Sequence, residues 1–288
     1  MVGNLNGIEI VATGAQIGAD VLGVDLMNFD DGAFEVIRRA ALEHMVLRFR
    51  GQSLIDPGLI AFGQRFGDLL LPGMSIMGKH YIDKHPEILC VSNIRDEEGN
   101  PMGNLGAGEA IWHTDQSYEP VPPTYSILNA VELPPEGGNT YFCNQYIAYD
   151  TLPDELKNAI HGKIIVHDES VNSAGQTRKG FDDVVDPRDA PGARHPAIRT
   201  HPETGRKALY LGRRRNSAIL GIELDESESL LDLLWVHATQ EKFSWGHEWR
   251  MGDVLMWDNR CSLHRRAPFD NNHRRMMHRI QVQGSVPY

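Results

Sequence analysis

Residues 111–120 read IWHTDQSYEP and pose one structural choice. On a strand, His113 and Asp115 point to one face, because side chains alternate with period two. On a helix the same spacing aims them apart. The neighbours are compatible with a strand, so the pair offers two adjacent ligands for a cation. Two other H-x-[DE] triplets occur, His85-Pro86-Glu87 and His201-Pro202-Glu203. A central proline at the edge of a strand or hairpin marks both as turns.

Strand patterns dominate the surrounding sequence. MVLRFR (45–50), EILCVSNI (87–94), TYSILNAVEL (124–133), NTYFCNQ (139–145) and GKIIVHDE (162–169) read as strands. AIRTHPETGRKALYLG (197–212) reads as a hairpin turning at residues 203–205, and DVLMWDN (253–259) and RRMMHRIQVQG (274–284) follow as late strands. Helical periodicity is confined to DDGAFEVIRRAALEH (30–44), IDPGLIAFGQRFGDLL (55–70), LPDELKNAIHG (152–162) and DESESLLDLLWVHATQEKF (225–243). Gly137-Gly138 reads as a turn before a strand. Residues 172–197 are polar, rich in glycine and proline, and aperiodic, as mobile functional loops are. This pattern predicts a mainly β chain with helical insertions, a sandwich or barrel forming one domain over residues 1–288.

The bulk properties exclude several classes of partner. A net charge of −11 over 288 residues argues against nucleic acid, because phosphate binding relies on basic surface. No run approaches the roughly 18 apolar residues of a membrane span, and no signal peptide is visible at the N-terminus. Three widely spaced cysteines, Cys90, Cys143 and Cys261, predict reduced thiols and a cytoplasmic location. Residues 250–280 run against this acidity, with seven arginines and three aspartates. Arginine's planar fork suits a pocket for small anions.

A third ligand for the cation comes from His264, in MWDNRCSLHRRAPFD. Two histidines and one carboxylate on one face of an ion leave three positions open, the arrangement of non-haem Fe(II) oxygenases. Zinc is usually held tetrahedrally with one open position. If the open positions take a bidentate 2-oxo acid and dioxygen, the acid's far carboxylate needs an arginine. Arg275 lies eleven residues beyond His264, on a strand face reading Arg275, Met277, Arg279, Gln281. The opposite face, Met276, His278, Ile280, Val282, is mostly core-like. Buried cations without an anionic partner are strongly unfavourable, so two arginines on an inward face predict bound anions. Cys261 has the wrong offset for the cation site, and Trp112, Trp257, Met276 and Met277 read as packing.

Ordered motifs then give a resemblance over nearly the whole chain. LRFRGQ and AFGQRFG come early, WHTDQSY and ELPPEGGNTYF in the middle, and HPETGRKALYLG, GDVLMWDNRCSLHR and RRMMHR late. Together they resemble the Fe(II)/2-oxoglutarate-dependent dioxygenases of the taurine dioxygenase and 2,4-dichlorophenoxyacetate (aryloxyalkanoate) dioxygenase family. The resemblance implies a double-stranded β-helix, or jelly-roll, core with His113, Asp115 and His264 binding Fe(II). It implies that Thr140 and Arg275 hold the carboxylate of the 2-oxoglutarate cosubstrate. Arg279 would hold the acidic head of a small anionic substrate, and Asn104, shortly before H-x-D, would stand for the family's substrate-binding asparagine. Dioxygen is the co-reactant, and a homo-oligomer is expected.

Two rivals use the same ligands or the same fold: a cupin-like metal isomerase or hydrolase, and a non-catalytic binding barrel. Neither accounts for Arg275 and Thr140 together. For the substrate body, LLLPGMSIMGKHYI (69–82) suggests apolar walls beside one arginine. An aryloxyacetate-like acid is therefore expected, cleaved to a phenol and glyoxylate, with taurine or an alkyl sulfate as the alternative.

Overall fold

The computed structural model describes residues 7–73, 80–106 and 110–288. Residues 74–79 of the apolar stretch 69–82, and 107–109 between Asn104 and His113, lie outside them. The chain opens with β1 (Glu9–Ala12), β2 (Ala19–Leu22), α1 (Asp31–His44), β3 (Val46–Phe49) and α2 (Asp56–Gln64). Next come β4 (Leu89–Ser92), β5 (Asn104–Leu105), β6 (Ala110–His113), β7 (Tyr125–Glu132) and β8 (Thr140–Asn144). Helices α3 (Gln145–Asp150) and α4 (Asp154–Ile160) precede β9 (Ile164–Val166), β10 (Arg194–Pro196), β11 (Ile198–Thr200) and β12 (Lys207–Leu209). The chain ends with α5 (Leu224–Ala238), β13 (Ser244–His247), β14 (Val254–Asp258), β15 (Ser262–Arg266) and β16 (Met276–Gln281).

Two sheets face each other as a jelly-roll. The large one has the order β1-β2-β3-β14-β7-β16-β4-β5, and the small one β13-β8-β15-β6. Period-two alternation sorts the side chains between layers. On β14, Val254 and Met256 join the cluster under α1 and α2, whereas Leu255 and Trp257 enter the space between the sheets. β16 divides likewise, with Ile280 toward the helices and Met277 between the sheets. On the small sheet, Cys143 and Leu263 face outward onto α5, so Phe142 and His264 face in.

Local chemistry explains the helices. The Asp30 side chain caps α1 by accepting from the Ala33 N–H, and Ala33, Val36, Ile37, Ala40 and Ala41 form its buried face. At the α2 contact, Phe62 meets Phe29, Phe49 and Phe66 edge-on, with ring centroids 5.7, 5.5 and 5.4 Å away. A ring so enclosed contributes about 1.5–3 kcal/mol by burial.

The 203–205 hairpin turn forms between β11 and β12, but its proline triplet is not merely a surface turn. His201 is buried against Asp258, Nε2 to Oδ2 3.1 Å, and Arg260 grips the same carboxylate through Nε and Nη2. Arg260 also reaches Glu203 at 2.7 Å. Cys261 lies close enough to complete a second His–Asp–Cys group. Arg260 already occupies that carboxylate, so the group reads as a buried ion network joining the hairpin to β14. Removing one member of such a network leaves an uncompensated buried charge. Arg260→Ala should therefore cost about 3–5 kcal/mol in denaturant unfolding; a loss under about 1 kcal/mol would show that Asp258 does not need it.

Candidate active site

His113 and His264 stand directly opposite each other where β6 pairs with β15. Their rings are 4.2 Å apart, centroid to centroid. β6 ends at His113, so Asp115 is not on the strand as the alternation suggested; it lies in the following turn. The Thr114 N–H donates to the Gly212 carbonyl and its hydroxyl to the Ser262 carbonyl, while Gln116 adopts a left-handed φ of 45°. This turn returns the Asp115 carboxylate to the histidines: Oδ1 lies 3.7 Å from His113 Nε2 and 3.8 Å from His264 Nε2. All three donor atoms fall within 4.8 Å of one another, and all three residues are buried.

The donor set fits a divalent ion of the iron type. His113 Nδ1 donates to the Ile111 carbonyl at 2.7 Å, which leaves the Nε2 lone pair facing Asp115. Burial, reinforced by His113, pushes the His264 imidazole down to about 3, so His264 is neutral. Burial pushes the Asp115 carboxyl up. The Arg279 guanidinium outweighs this and holds it well below the usual carboxylate range. Asp115 Oδ2 is anchored by the Ser126 hydroxyl at 2.7 Å, which accepts from Asn259 and Gln281. Two neutral imidazoles and one fixed carboxylate are what a facial site requires.

Arg279 on β16 donates from Nη1 to Asp115 Oδ1 at 2.9 Å, which ties it directly to the donor group. Arg275 has a different setting. It is 2% exposed, its Nε has no partner among the described residues, and burial pushes it down to about 9. Gly138 allows the approach; a Cβ there would lie 3.2 Å from Arg275 Nε, and its φ of +66° favours glycine. Two residues on, Thr140 Oγ1 accepts from the Trp249 indole at 3.0 Å. Its own hydroxyl hydrogen is thereby turned elsewhere, ready to donate.

A cavity of about 840 Å³ opens onto His113, Asp115 and Arg279. Asn104 lines it and hydrogen-bonds the Tyr81 side chain. Leu70, Leu71, Leu89 and Val121 form apolar wall, but Arg178, Lys179 and Arg213 line it too. The expectation of apolar walls beside a single arginine is therefore corrected: one wall is charged and polar, with Glu119 and Glu169 beside the three cations. Residues 172–179, from the aperiodic loop, supply much of it, and the rest of that loop carries β10. His264, Thr140 and Arg275 are set back from this cavity. Trp249, Ser126 and Asn259 had no motif to mark them, whereas Gln281 lay on the arginine face of β16. His278 faces away, paired with Asp56 at 2.6 Å.

The family described as "Taurine catabolism dioxygenase TauD, TfdA family" matches residues 9–281. The chain belongs to that family. It is an Fe(II)- and 2-oxoglutarate-dependent dioxygenase, with O2 as co-reactant. Pentalenolactone F synthase of Streptomyces avermitilis is 34% identical over 286 residues, covering 93% of this chain and 91% of that protein. The (S)-phenoxypropionate/alpha-ketoglutarate-dioxygenase of Delftia acidovorans is 33% identical, covering 96% of this chain and 95% of its own. The crystal structure of a taurine dioxygenase from Burkholderia xenovorans superposes with a TM-score of 0.79 at 33% identity, over 97% of this chain and 90% of that one. The metal isomerase, hydrolase and inert-barrel rivals fall with this membership.

The buried charge of Arg275, whose Nε has no partner among the described residues, gives a stability test. Methionine retains much of the volume without the charge, so ligand-free Arg275→Met should unfold at a midpoint equal to or above wild type. A drop of more than about 2 kcal/mol would mean that Arg275 is paired in the resting protein.

Proposed function

We propose that this dioxygenase hydroxylates an aryloxyacetate-like acid at the carbon beside the ether oxygen, releasing a phenol and glyoxylate. In this reading His113, Asp115 and His264 hold Fe(II). Arg275 and Thr140 receive the far carboxylate of 2-oxoglutarate, and Arg279 with Asn104 receives the substrate's acidic head. The observation that carries the reading is Arg279: its guanidinium is bonded to Asp115 and faces the cavity. One of its N–H groups is used there, and an arginine has five to offer. A carboxylate on the remainder sits at a fixed distance from the metal ligands, beside Leu89 and Tyr81.

When bound, iron and 2-oxoglutarate reduce dioxygen, with the cosubstrate leaving as succinate and carbon dioxide and one oxygen atom entering a substrate C–H bond. The residues supply position and charge. Arg275 gains the anion it lacks, and the charge-assisted pair fixes the cosubstrate. Trp249 keeps the Thr140 hydroxyl turned toward the same carboxylate. Arg279 places the carbon next to the head group near the donors, and the apolar wall accommodates an aryl body. Hydroxylation of that carbon gives a hemiacetal, whose bond between that carbon and the ether oxygen breaks. The ether oxygen leaves on the ring as the phenol, taking up the proton lost by the new hydroxyl, and the carbon becomes the aldehyde of glyoxylate.

The Delftia relative, named for phenoxypropionate, supports the aryloxy reading. The polar residues of 172–179 favour a second one, taurine or an alkyl sulfate, whose oxidation releases sulfite or sulfate. We also propose that residues 172–197 move over the cavity on substrate entry, since part of that loop lines it. A cytoplasmic homo-oligomer is proposed on two grounds: three buried, unbridged cysteines and the exposed Leu233 and Val236 on α5.

Aerobic incubation with Fe(II), 2-oxoglutarate and either phenoxyacetate or taurine tests the substrate. Phenol with stoichiometric succinate is expected from the first, and little sulfite from the second. Robust sulfite without phenol overturns the choice. In the same assay Arg275→Met should raise KM for 2-oxoglutarate by at least about tenfold, the loss of one charge-assisted pair.

A further inference from the structure

Arg213 is one of the cavity residues that the reading above leaves unused. It follows Gly212, whose carbonyl accepts the Thr114 N–H, and a Cβ at Gly212 would lie 2.1 Å from His167 Nδ1. Only glycine lets the chain pass between His167 and the turn that carries Asp115. The next side chain is thereby delivered to the cavity wall beside the donor group.

Its setting is costly for a cation. Arg213 is 6% exposed, its Nε has no acceptor among the described residues, and Nη1 donates to the Val171 carbonyl, which is neutral. Burial pushes it down to about 10, and neighbouring Arg178 pushes the same way. Arg178 also lines the cavity, with its guanidinium 4.2 Å from the Tyr118 ring centroid. The nearby acids are committed elsewhere. Asp168 accepts from Ser170 and Asn216, Asp115 from Arg279 and Ser126, and Glu119 lies by Glu169 and Arg178. A buried guanidinium facing a cavity, with donors to spare and no carboxylate, calls for an anion from outside.

We propose that Arg213, with Arg178 beside it, forms a second anion subsite, so that the preferred substrates are small acids with two anionic groups, one on Arg279 and one on Arg213. The proposal rests on the reading of Arg279 as the head-group receptor. Arg279 projects from the large sheet and Arg213 from the loop after β12, so the two cations approach the cavity from different elements. A monoacid satisfies one of them, and a diacid whose length spans the cavity satisfies both. The requirement also rejects neutral aryl ethers, which would leave both cations buried without a partner.

Anaerobic calorimetry on the protein saturated with Fe(II) and 2-oxoglutarate separates the possibilities, because the cosubstrate then blocks diacid binding at Arg275. The probes are phenoxyacetate and 4-carboxyphenoxyacetate. Wild type should bind the diacid at least about tenfold more tightly. Arg213→Ala should lose that preference while keeping phenoxyacetate affinity within about twofold, and Arg213→Lys should restore part of it. Equal weakening of both acids in Arg213→Ala would mean that Arg213 only braces the 171–179 loop, and overturns the subsite. So does a wild type without preference for the diacid. The substrate reading fails separately: both acids binding, with no phenol released in air, defeats it and leaves the subsite standing. If Arg213→Ala does not fold, Arg213→Met keeps much of the side-chain volume without the charge and is expected to show the same loss.

Discussion

The register that places His113 opposite His264 is the constraint on which the site depends. Sliding β6 by one residue along β15 would turn His113 outward and bring Trp112 into the space between the sheets. Trp112 on β6, packed outward against the same cluster as Leu263 and Cys143, opposes such a slip. The tight turn at residues 114–116 is the second half of the device. It returns Asp115 to the histidines although β6 has already ended, and Thr114 and Ser126 pin its two sides.

Charge completes the design around these donors. Asp115 is neutralised by Arg279 in the resting protein, and the His264 imidazole is uncharged. Among the described residues, Arg275 and Arg213 have no carboxylate hydrogen-bonded to them. Each is a buried cation whose cost is carried by the clusters between and outside the sheets. Binding anions removes that cost, so cosubstrate and substrate stabilise the fold as they bind. The protein therefore trades resting stability for sites already oriented toward their ligands.

Much of this was legible in the sequence, where a period or a face could be read. The alternation on β16 separated Arg279 from Ile280 and correctly sent His278 the other way, onto Asp56, whereas Arg275, expected on the same strand, lies one residue before it begins. α1, α2, α4 and α5 followed from helical periodicity with acids in or just before the first turn, and the hairpin from its glycine turn. α3 has only six residues and no clear amphipathic period, and β13 (Ser244–His247) lacks alternation, so neither was visible. Asp115 looked like a strand residue because an i, i+2 pair is the same whether the strand continues or turns back. Arg213 was hidden for another reason: within RRR (213–215) nothing distinguishes the buried arginine from its neighbours, and only tertiary contacts do. Trp249 acts through Thr140, more than a hundred residues away in the chain, and sequence spacing cannot reveal such a contact.

The central claim is that His113, Asp115 and His264 present one iron-chelate site to a 2-oxo acid held at Arg275. A visible spectrum recorded without oxygen tests it most directly. Adding 2-oxoglutarate to the Fe(II)-loaded protein should produce a weak charge-transfer absorption that saturates at one iron per chain, and His264→Ala should abolish it. A preparation that is active and replete with iron but shows no such band, or a band unchanged in His264→Ala, would contradict the account.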